Sequence, residues 1–130
     1  MNLETRVAEL ERRLATEQIF ADDCHLKTIP WGADTRGKDR ILLGFERYWA
    51  RLRNPRRYYA NEAITGNSGT ATAFAYWFVT QEDDDQSVIG WGNYDWGFRL
   101  EGGLWKVTEL IIHVLAMTTR EQGWAIPDKI

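Results

Sequence analysis

The sequence has few of the residues from which disulfides and metal sites are built. It contains one cysteine, Cys24, and two histidines, His25 and His113. One cysteine excludes an intramolecular disulfide and a cysteine-rich metal site, and it favours a reducing compartment inside the cell. Two histidines among scattered carboxylates do not form a zinc site, because zinc usually takes three or four ligands at short spacings. We therefore expect no metal.

Long apolar runs and a strong net charge are lacking as well. No stretch approaches the ~18 apolar residues of a membrane span, and the charged N-terminus has no signal-peptide core, so we expect a cytoplasmic protein that does not enter a membrane. Sixteen Lys and Arg residues against nineteen Asp and Glu residues give a net charge of −3. This balance argues against nucleic acid as a partner, because phosphate backbones are bound by clustered positive charge.

Aromatic residues are abundant by contrast. They make up 13% of the 130 residues, and three of the seven tryptophans fall in "GWGNYDWGFRLEGGLWKV", from Gly90 to Val107. Such a stretch either lines a pocket for an apolar molecule or belongs to the core. The length fits a single domain that spans residues 1–130.

Two segments show the spacing of amphipathic helices. Apolar residues follow a heptad-like pattern over Asn2–Phe20, and they recur every three to four residues over about Lys38–Arg53. We expect the second helix to run from about Lys38 to Arg53, with Asp34 or Thr35 near its start, and to be stopped by Pro55, which cannot continue a helix.

The remaining segments read as strands. Cys24–Ile29 predicts a short strand, and "PWGADTRGKD" predicts the loop that follows it. After Pro55 we expect four consecutive antiparallel strands, with turns at "GNSG", "QEDDDQ" and "EGG". Helices followed by a long antiparallel sheet predict an α+β fold in which the helices cover one face of the sheet. Gly90, Gly92 and Gly97 within one strand predict bulges that would bend the sheet round a cavity.

The strand "TATAFAYWFVT" is apolar on both of its faces. Trp77 and its alternating partners lie on one face, whereas Phe74, Tyr76 and Phe78 lie on the other. A sheet with two apolar faces must be covered twice, by helices or a ligand on one side and by another subunit on the other. We therefore expect a homo-oligomer, either a dimer or a trimer.

The next aromatic strand carries the sharpest candidate carboxylate, Asp95. Trp91, Asn93 and Asp95 share one face and Tyr94 lies on the opposite one, so only one of these sets can line a pocket. Buried among rings, Asp95 would gain a raised pKa suited to a general base; exposed at an edge, it would do nothing special. Asn93 beside Trp91 suits a phenolic or carbonyl ligand.

The two histidines are candidates of different kinds. By strand parity His113 shares a face with Glu109, which could orient the imidazole as an acid or base if a water or a bulge coupled the two side chains. The alternative is a core or interface histidine with a satisfied hydrogen bond. His25 either occupies a surface position on the first strand or contacts a ligand, and neighbouring Cys24 points to the other face.

The strand after Pro55 offers a polar pair for a pocket. Tyr58 and Tyr59 point to opposite faces, so one of them enters the cavity, where its hydroxyl could polarise a carbonyl. Arg57 shares the face of Tyr59, and its fixed charge could hold an anionic or phenolate group.

Several segments in this order are similar to those of one known family. The segments are "ETRVAELERRLA", "FADDCHL", "RILLGFERYW", "RYYAN" and "GNYDWGFRLEGGLWKV". Together they resemble the SnoaL-like branch of the nuclear transport factor 2-like superfamily. The resemblance covers nearly the whole chain. It implies an α+β cone, in which helices pack against a strongly curved antiparallel sheet around an apolar pocket.

The resemblance also implies a kind of chemistry, and this chain differs from the family pattern at some positions. Enzymes of the family, such as dehydratases and polyketide cyclases, use pocket acids and bases without a metal or an organic cofactor, while other members only bind ligands. Where those enzymes carry a catalytic histidine this chain has Arg57, and Asn61 stands at a frequent asparagine position.

Together these features predict a cofactor-independent lyase, dehydratase, cyclase or isomerase that acts by proton transfer on a small apolar, aromatic or polycyclic molecule. The alternative is a binding or assembly module of the same fold without chemistry. Asp95, His113 and Tyr59 are the expected catalytic residues. Ligand contacts are expected from Arg57, Asn61, Trp77, Trp91, Asn93, Tyr94 and His25.

Overall fold

The computed structural model describes residues 2–4, 7 and 18–125. The first strands are β1 (Phe20–Ile29) and β2 (Ala33–Arg36), and helix α1 (Lys38–Arg51) follows them. Four long strands complete the order: β3 (Leu52–Gly66), β4 (Thr70–Asp83), β5 (Gln86–Glu101) and β6 (Leu104–Thr119). Most of the helix predicted over Asn2–Phe20 lies outside the described residues.

The six strands form one sheet in the order β2-β1-β6-β5-β4-β3. Strands β3 to β6 pair antiparallel with their neighbours in sequence, which confirms the predicted four-stranded meander. Strand β1 runs parallel to β6, and β2 folds back antiparallel on β1. This sheet with its packed helix confirms the α+β prediction.

The three predicted turns are confirmed, and each has a local cause. Asn67 accepts hydrogen bonds from the backbone of Gly69 and Thr70 through its side chain, which closes the β3–β4 turn. Two aspartates with φ of 48° and 64° join β4 to β5, and two glycines with φ of 57° and 82° join β5 to β6. Aspartate and glycine are residues that tolerate this left-handed backbone. They are Asp84, Asp85, Gly102 and Gly103.

Element boundaries near the first helix differ from the prediction. The helix begins at Lys38 as predicted. The predicted loop before it contains β2, in which Thr35 pairs with Leu26 of β1, so Asp34 and Thr35 lie in a strand and not at the helix start. Gly37 precedes the helix without a side-chain cap, and the helix ends at Arg51. These differences arise because pairing with β1 extends residues that look like a loop when their partner is unknown.

Two further predictions, on where the first strand begins and where the helix ends, are also wrong. The first strand begins at Phe20 and not at Cys24, so the "ADD" segment belongs to the strand. Pro55 does not stop the helix, which has already ended, but lies within β3. A proline is tolerated there because β3 is an edge strand, where a missing N–H need not break a ladder.

Helix α1 packs on one face of the sheet, here called the inner face; the opposite face is the outer face. Ile41 and Phe45 of α1 join a buried cluster that includes Trp77, Tyr94 and Leu110 from the strands. The register of β5 against β6 shifts between Trp91 and Gly92 and again between Gly97 and Phe98, which confirms the predicted bulges. Within the described part of the chain, no helix has the length and apolar character needed to cross a membrane.

Candidate functional site

The candidate site residues divide between the two faces of the sheet. Trp77 and Tyr94 are buried in the inner-face core, and the ring of Tyr59 lies 5.8 Å from that of Tyr94. The predicted alternation along β5 is confirmed, because Asp95 is half exposed beside the buried Tyr94. The inner face therefore carries Arg57, Tyr59, Trp77 and Tyr94, and the outer face carries His25, Trp91, Asn93, Asp95 and His113.

Asn61 belongs to neither group. It lies at a bulge of β3, between the registers of Ala60 and Ala63, and has φ of 55°. Asparagine is one of the few residues with a side chain that adopt this left-handed backbone readily. Its position at an exposed edge strand separates it from the buried part of the inner face.

Four inner-face residues form a polar and aromatic group, here called the Arg57 cluster: Arg57, Tyr59, Trp77 and Tyr94. The Arg57 Nη1 donates a hydrogen bond of 2.7 Å to the Tyr94 hydroxyl. The same guanidinium lies 5.8 Å from the centre of the Trp77 ring, within the range of a cation–π contact. The cluster assembles because Tyr59 is the cross-strand partner of Trp77, and Gly92 is the partner of Trp77 on the next strand.

Both polar members of the Arg57 cluster have displaced pKa values. Burial raises the pKa of Tyr94 to about 12, although Arg57 pulls it in the opposite direction. Desolvation lowers the pKa of Arg57, but the neighbouring phenols of Tyr94, Tyr48 and Tyr59 outweigh it and leave that pKa above its usual value. At neutral pH the cluster therefore combines a fixed positive charge with a protonated phenol.

A second polar contact on the inner face was missed by the sequence analysis. The Tyr48 hydroxyl lies 3.1 Å from both side-chain polar atoms of Gln81, which is 6% exposed. Tyr48 follows Ile41 and Phe45 at helical spacing, and Gln81 follows Trp77 and Val79 at strand spacing, so periodicity alone could have placed both. A pocket of about 410 Å³ opens beside this pair.

On the outer face the structure joins Asp95 to His113. The His113 Nε2 lies 3.0 Å from the Asp95 Oδ2, with 31% of the histidine side chain and 49% of the aspartate side chain exposed. The expected partner of His113, Glu109, is not its partner. Asp95 lies diagonally opposite His113 across the β5–β6 ladder, which brings the two side chains closer than neighbours along one strand.

Glu109 lies instead near the other histidine. The Nδ1 of His25 is 3.9 Å from a Glu109 oxygen, and its Nε2 is 2.5 Å from the Asp34 Oδ1. The hydrogen bond from His25 lowers the pKa of Asp34. His25 is 8% exposed and Cys24 is fully buried in the inner-face core, so these neighbours do point apart as predicted.

The two faces therefore offer different chemistry. The inner face presents hydrogen-bond donors and a positive charge among aromatic rings, whereas the outer face presents two histidine–carboxylate pairs. The structure does not bring Tyr59 together with Asp95 and His113. Across residues 2–4, 7 and 18–125, no three His, Cys, Asp or Glu side chains are grouped closely enough to hold a metal ion.

A curved, mainly antiparallel sheet with a helix against its inner face and polar side chains within that core defines an α+β cone domain. A family model described as a SnoaL-like domain matches residues 7–111, so this chain belongs to the SnoaL-like family. The family resemblance that the sequence motifs indicated is thereby confirmed. A search of curated proteins finds no match.

Solved structures share the fold at low sequence identity. A candidate scytalone dehydratase from Novosphingobium aromaticivorans superposes with a TM-score of 0.71 at 18% identity, over 99% of each chain. The hexachlorocyclohexane dehydrochlorinase LinA-type3 from Novosphingobium barchaimii gives a TM-score of 0.70 at 15% identity, over 96% of each chain. At these identities the similarity establishes the fold alone.

Proposed function

We propose that this protein is a cofactor-independent lyase-type enzyme that acts by proton transfer on a small, mostly apolar molecule carrying a polar oxygen. Dehydration, elimination, cyclisation and isomerisation belong to this class, because each begins when a proton leaves carbon and charge develops on a neighbouring atom. The hydrogen bond between Arg57 and Tyr94 on the buried inner face is the observation that carries the proposal. Family membership and the dehydratase and dehydrochlorinase folds support it.

The Arg57 cluster would act on the oxygen of the substrate. Arg57 donates to the oxygen of Tyr94, which leaves the phenolic proton of Tyr94 available for a substrate carbonyl or leaving group. Donors fixed in advance around a developing negative charge are commonly the largest contribution to catalysis. Tyr59, with its ring beside Tyr94, supplies a second hydroxyl for proton relay.

Asp95 and His113 form the second acid–base unit of the proposal. Their 3.0 Å contact is typical of a carboxylate that orients an imidazole as a general base. This pair works on the outer face, so it can serve a substrate bound there but not one bound at the Arg57 cluster. Catalysis at the inner face and catalysis at the outer face therefore predict that different variants lose activity.

Adjacent residues on opposite faces provide matched controls for the test. Tyr59→Phe and Arg57→Gln alter the inner face, while Tyr58→Phe and Arg56→Gln make the same changes on the other side of β3. We expect the inner-face variants to lose about 100-fold or more in kcat/KM, a typical contribution of one positioned proton donor, and the controls to retain wild-type turnover. The assay would use scytalone, other hydroxylated aromatic ketones and hydroxylated aromatic acids, followed by chromatography of the products.

The outer-face pair is tested in the same assay. If Asp95→Asn and His113→Gln abolish turnover while Tyr59→Phe retains it, the outer face is the catalytic one and the inner-face assignment is wrong. If no compound of this panel is turned over by the wild type, the enzymatic proposal itself is overturned.

A non-catalytic binding module is the second candidate. The inner face favours this role, because the Arg57 cluster offers hydrogen-bond donors to a ligand. The histidine–carboxylate pairs that could act as bases lie on the outer face. Native mass spectrometry of the purified protein would reveal a retained small molecule. Retention of an unaltered ligand, together with no turnover, would establish the binding role.

A further inference from the structure

The indole N–H of Trp77 is a buried donor without a partner. Trp77 is 3% exposed, and among the described residues its Nε1 is the one buried side-chain nitrogen or oxygen that makes no hydrogen bond. Leaving a buried donor unpaired costs free energy, so such groups are rare and often mark a site filled by something else. A phenylalanine would fill the same aromatic position without that cost.

The guanidinium of Arg57 lies against the same indole ring and has spare donors. One of its five N–H groups donates to Tyr94, and the guanidinium also lies over the Trp77 ring. The groups that act on its charge are the neutral phenols of Tyr94, Tyr48 and Tyr59, and within the described ranges no carboxylate forms an ion pair with it. By contrast, Arg53 and Arg99 each contact carboxylates.

Flat apolar walls adjoin these donors. The rings of Tyr94 and Trp96 lie 5.3 Å apart, and those of Trp96 and Phe98 stack at 6.1 Å with an angle of 13° between their planes. Tyr94 is buried and Trp96 and Phe98 are partly buried against the core, so a flat aromatic body bound here would pack on the rings of Trp96 and Phe98. The Arg57 cluster and the adjoining rings therefore combine an uncompensated positive charge, an unused N–H donor and aromatic side chains.

We infer that the Arg57 cluster is a subsite for the carboxylate of an aromatic acid, held by the Arg57 guanidinium and the Trp77 indole N–H. The planar fork of arginine matches a carboxylate geometrically, and charge-assisted hydrogen bonds of this kind are roughly twice as strong as neutral ones. This inference rests on the proposed function, because it names the substrate class of the same site. It deepens that function by requiring a negative charge on the substrate.

Calorimetric titration with two isosteric probes tests the inference. 2-Naphthoate carries the carboxylate, and 2-naphthamide has the same ring system without the charge. We expect the wild type to bind 2-naphthoate about tenfold or more tightly than 2-naphthamide, which corresponds to one charge-assisted contact. Arg57→Gln should reduce this ratio to about twofold or less, because the amide keeps hydrogen bonding but removes the charge.

Two further variants separate charge from fold. Arg56→Gln removes the same charge from the adjacent residue, which pairs with Thr80 on the other face, and it should preserve the preference for 2-naphthoate. Trp77→Phe keeps an aromatic ring but removes the N–H, and it should weaken binding of 2-naphthoate about threefold or more. Thermal unfolding of each variant identifies any that fail to fold.

Equal affinity for the two probes, failure to bind either, or a preference that survives Arg57→Gln in a folded protein would overturn the inference. Its failure is distinguishable from that of the proposed enzyme function. A protein that converts a neutral ketone but ignores 2-naphthoate refutes the carboxylate subsite alone. A protein that binds 2-naphthoate through Arg57 without any turnover keeps the subsite and refutes the enzyme.

Discussion

At the scale of the residue, Tyr94 combines burial with a charged neighbour. It is 4% exposed and accepts a hydrogen bond from Arg57, yet burial dominates and raises its pKa to about 12. A phenol in an unfolded chain loses its proton near pH 10. Tyr94 therefore remains a hydrogen-bond donor at every pH at which the protein would normally work.

This difference predicts a pH dependence of stability. Because the folded pKa of Tyr94 is raised, its contribution to the free energy of unfolding is fully present below about pH 10 and is lost as the pH rises through about 12. Urea unfolding between neutral and alkaline pH would measure this loss, and near-ultraviolet absorbance of tyrosinate would follow the proton itself. Tyr94→Phe should remove both effects.

Tyr58→Phe is the control for this titration. Tyr58 lies on the outer face beside Phe78, 59% exposed, and its removal leaves the bond between Arg57 and Tyr94 in place. The part of the tyrosinate absorbance titration that has its midpoint near pH 12 should therefore persist in Tyr58→Phe. A difference spectrum between the wild type and Tyr94→Phe with its midpoint near pH 10, the usual tyrosine value, would contradict the burial argument.

At the scale of the element, β5 is shaped by its glycines. A Cβ at Gly92 would lie 1.8 Å from the carbonyl oxygen of His113 and 2.8 Å from the Trp77 ring. The indole of Trp77 therefore packs directly over the β5 backbone, which places it beneath Arg57. The glycine serves close packing here, and the register shift next to it bends the strand.

Gly92→Ala should consequently destabilise the protein by about 1–3 kcal/mol, because a backbone atom must move to admit the methyl group. Urea unfolding would give the free energy, and tryptophan fluorescence would report displacement of Trp77. Gly44→Ala on α1 is the matched control, since a Cβ there meets nothing within 4 Å. That change should leave stability unchanged or raise it by about 0.5–1 kcal/mol, as replacing a helical glycine commonly does. Equal stability of Gly92→Ala and the wild type would show that the strand can relax around the contact.

At the scale of the whole molecule, the outer face of β3 and β4 remains apolar and exposed. Tyr58, Tyr76 and Phe78 are 59%, 47% and 38% exposed, and they lie together with Phe74. Contiguous exposed aromatic surface commonly marks an interaction site. The prediction from the sequence that a second subunit covers this face therefore stays a prediction, now with a defined location.

Sedimentation velocity and light scattering would test this prediction. We expect a particle of two or three chains of 15.1 kDa each, and dissociation to single chains when Tyr76 or Phe78 is replaced by glutamate, because an interface does not accommodate an unpaired buried charge. Leu43→Glu on α1, where the leucine is 46% exposed, should leave the assembly intact. A wild-type protein that is monomeric at high micromolar concentration would refute the prediction.

Much of this architecture could be read from local patterns. The four-stranded meander, its three turns, the bulges near Gly92 and Gly97, and the opposite orientations of Tyr58 and Tyr59 follow from spacing of two residues along strands and from turn chemistry. Strand β2 could not be read in this way, because its extended form depends on pairing with β1.

Partners across strands were the least predictable feature of the candidate sites. Parity placed Glu109 and His113 on one face correctly, but the choice between Glu109 and Asp95 as the partner of His113 depends on the register of β5 against β6. The separate register of β1 against β6 places Glu109 opposite His25. Tyr48 and Gln81 meet because a helix position and a strand position, each regular in its own pattern, face each other across the core.

The sequence by itself determined which side chains share a face, where the chain turns and to which family it belongs, because alternation, turn preference and motif order are properties of short stretches. Only the tertiary structure decided that Tyr94 points toward α1 and that Asp95 points away from it. The two faces of "GWGNYDWGFRLEGG" are equivalent by alternation alone. They become different when α1 covers one face of the sheet and its Ile41 joins the same buried cluster as Tyr94, an association between residues distant in sequence that no local pattern encodes.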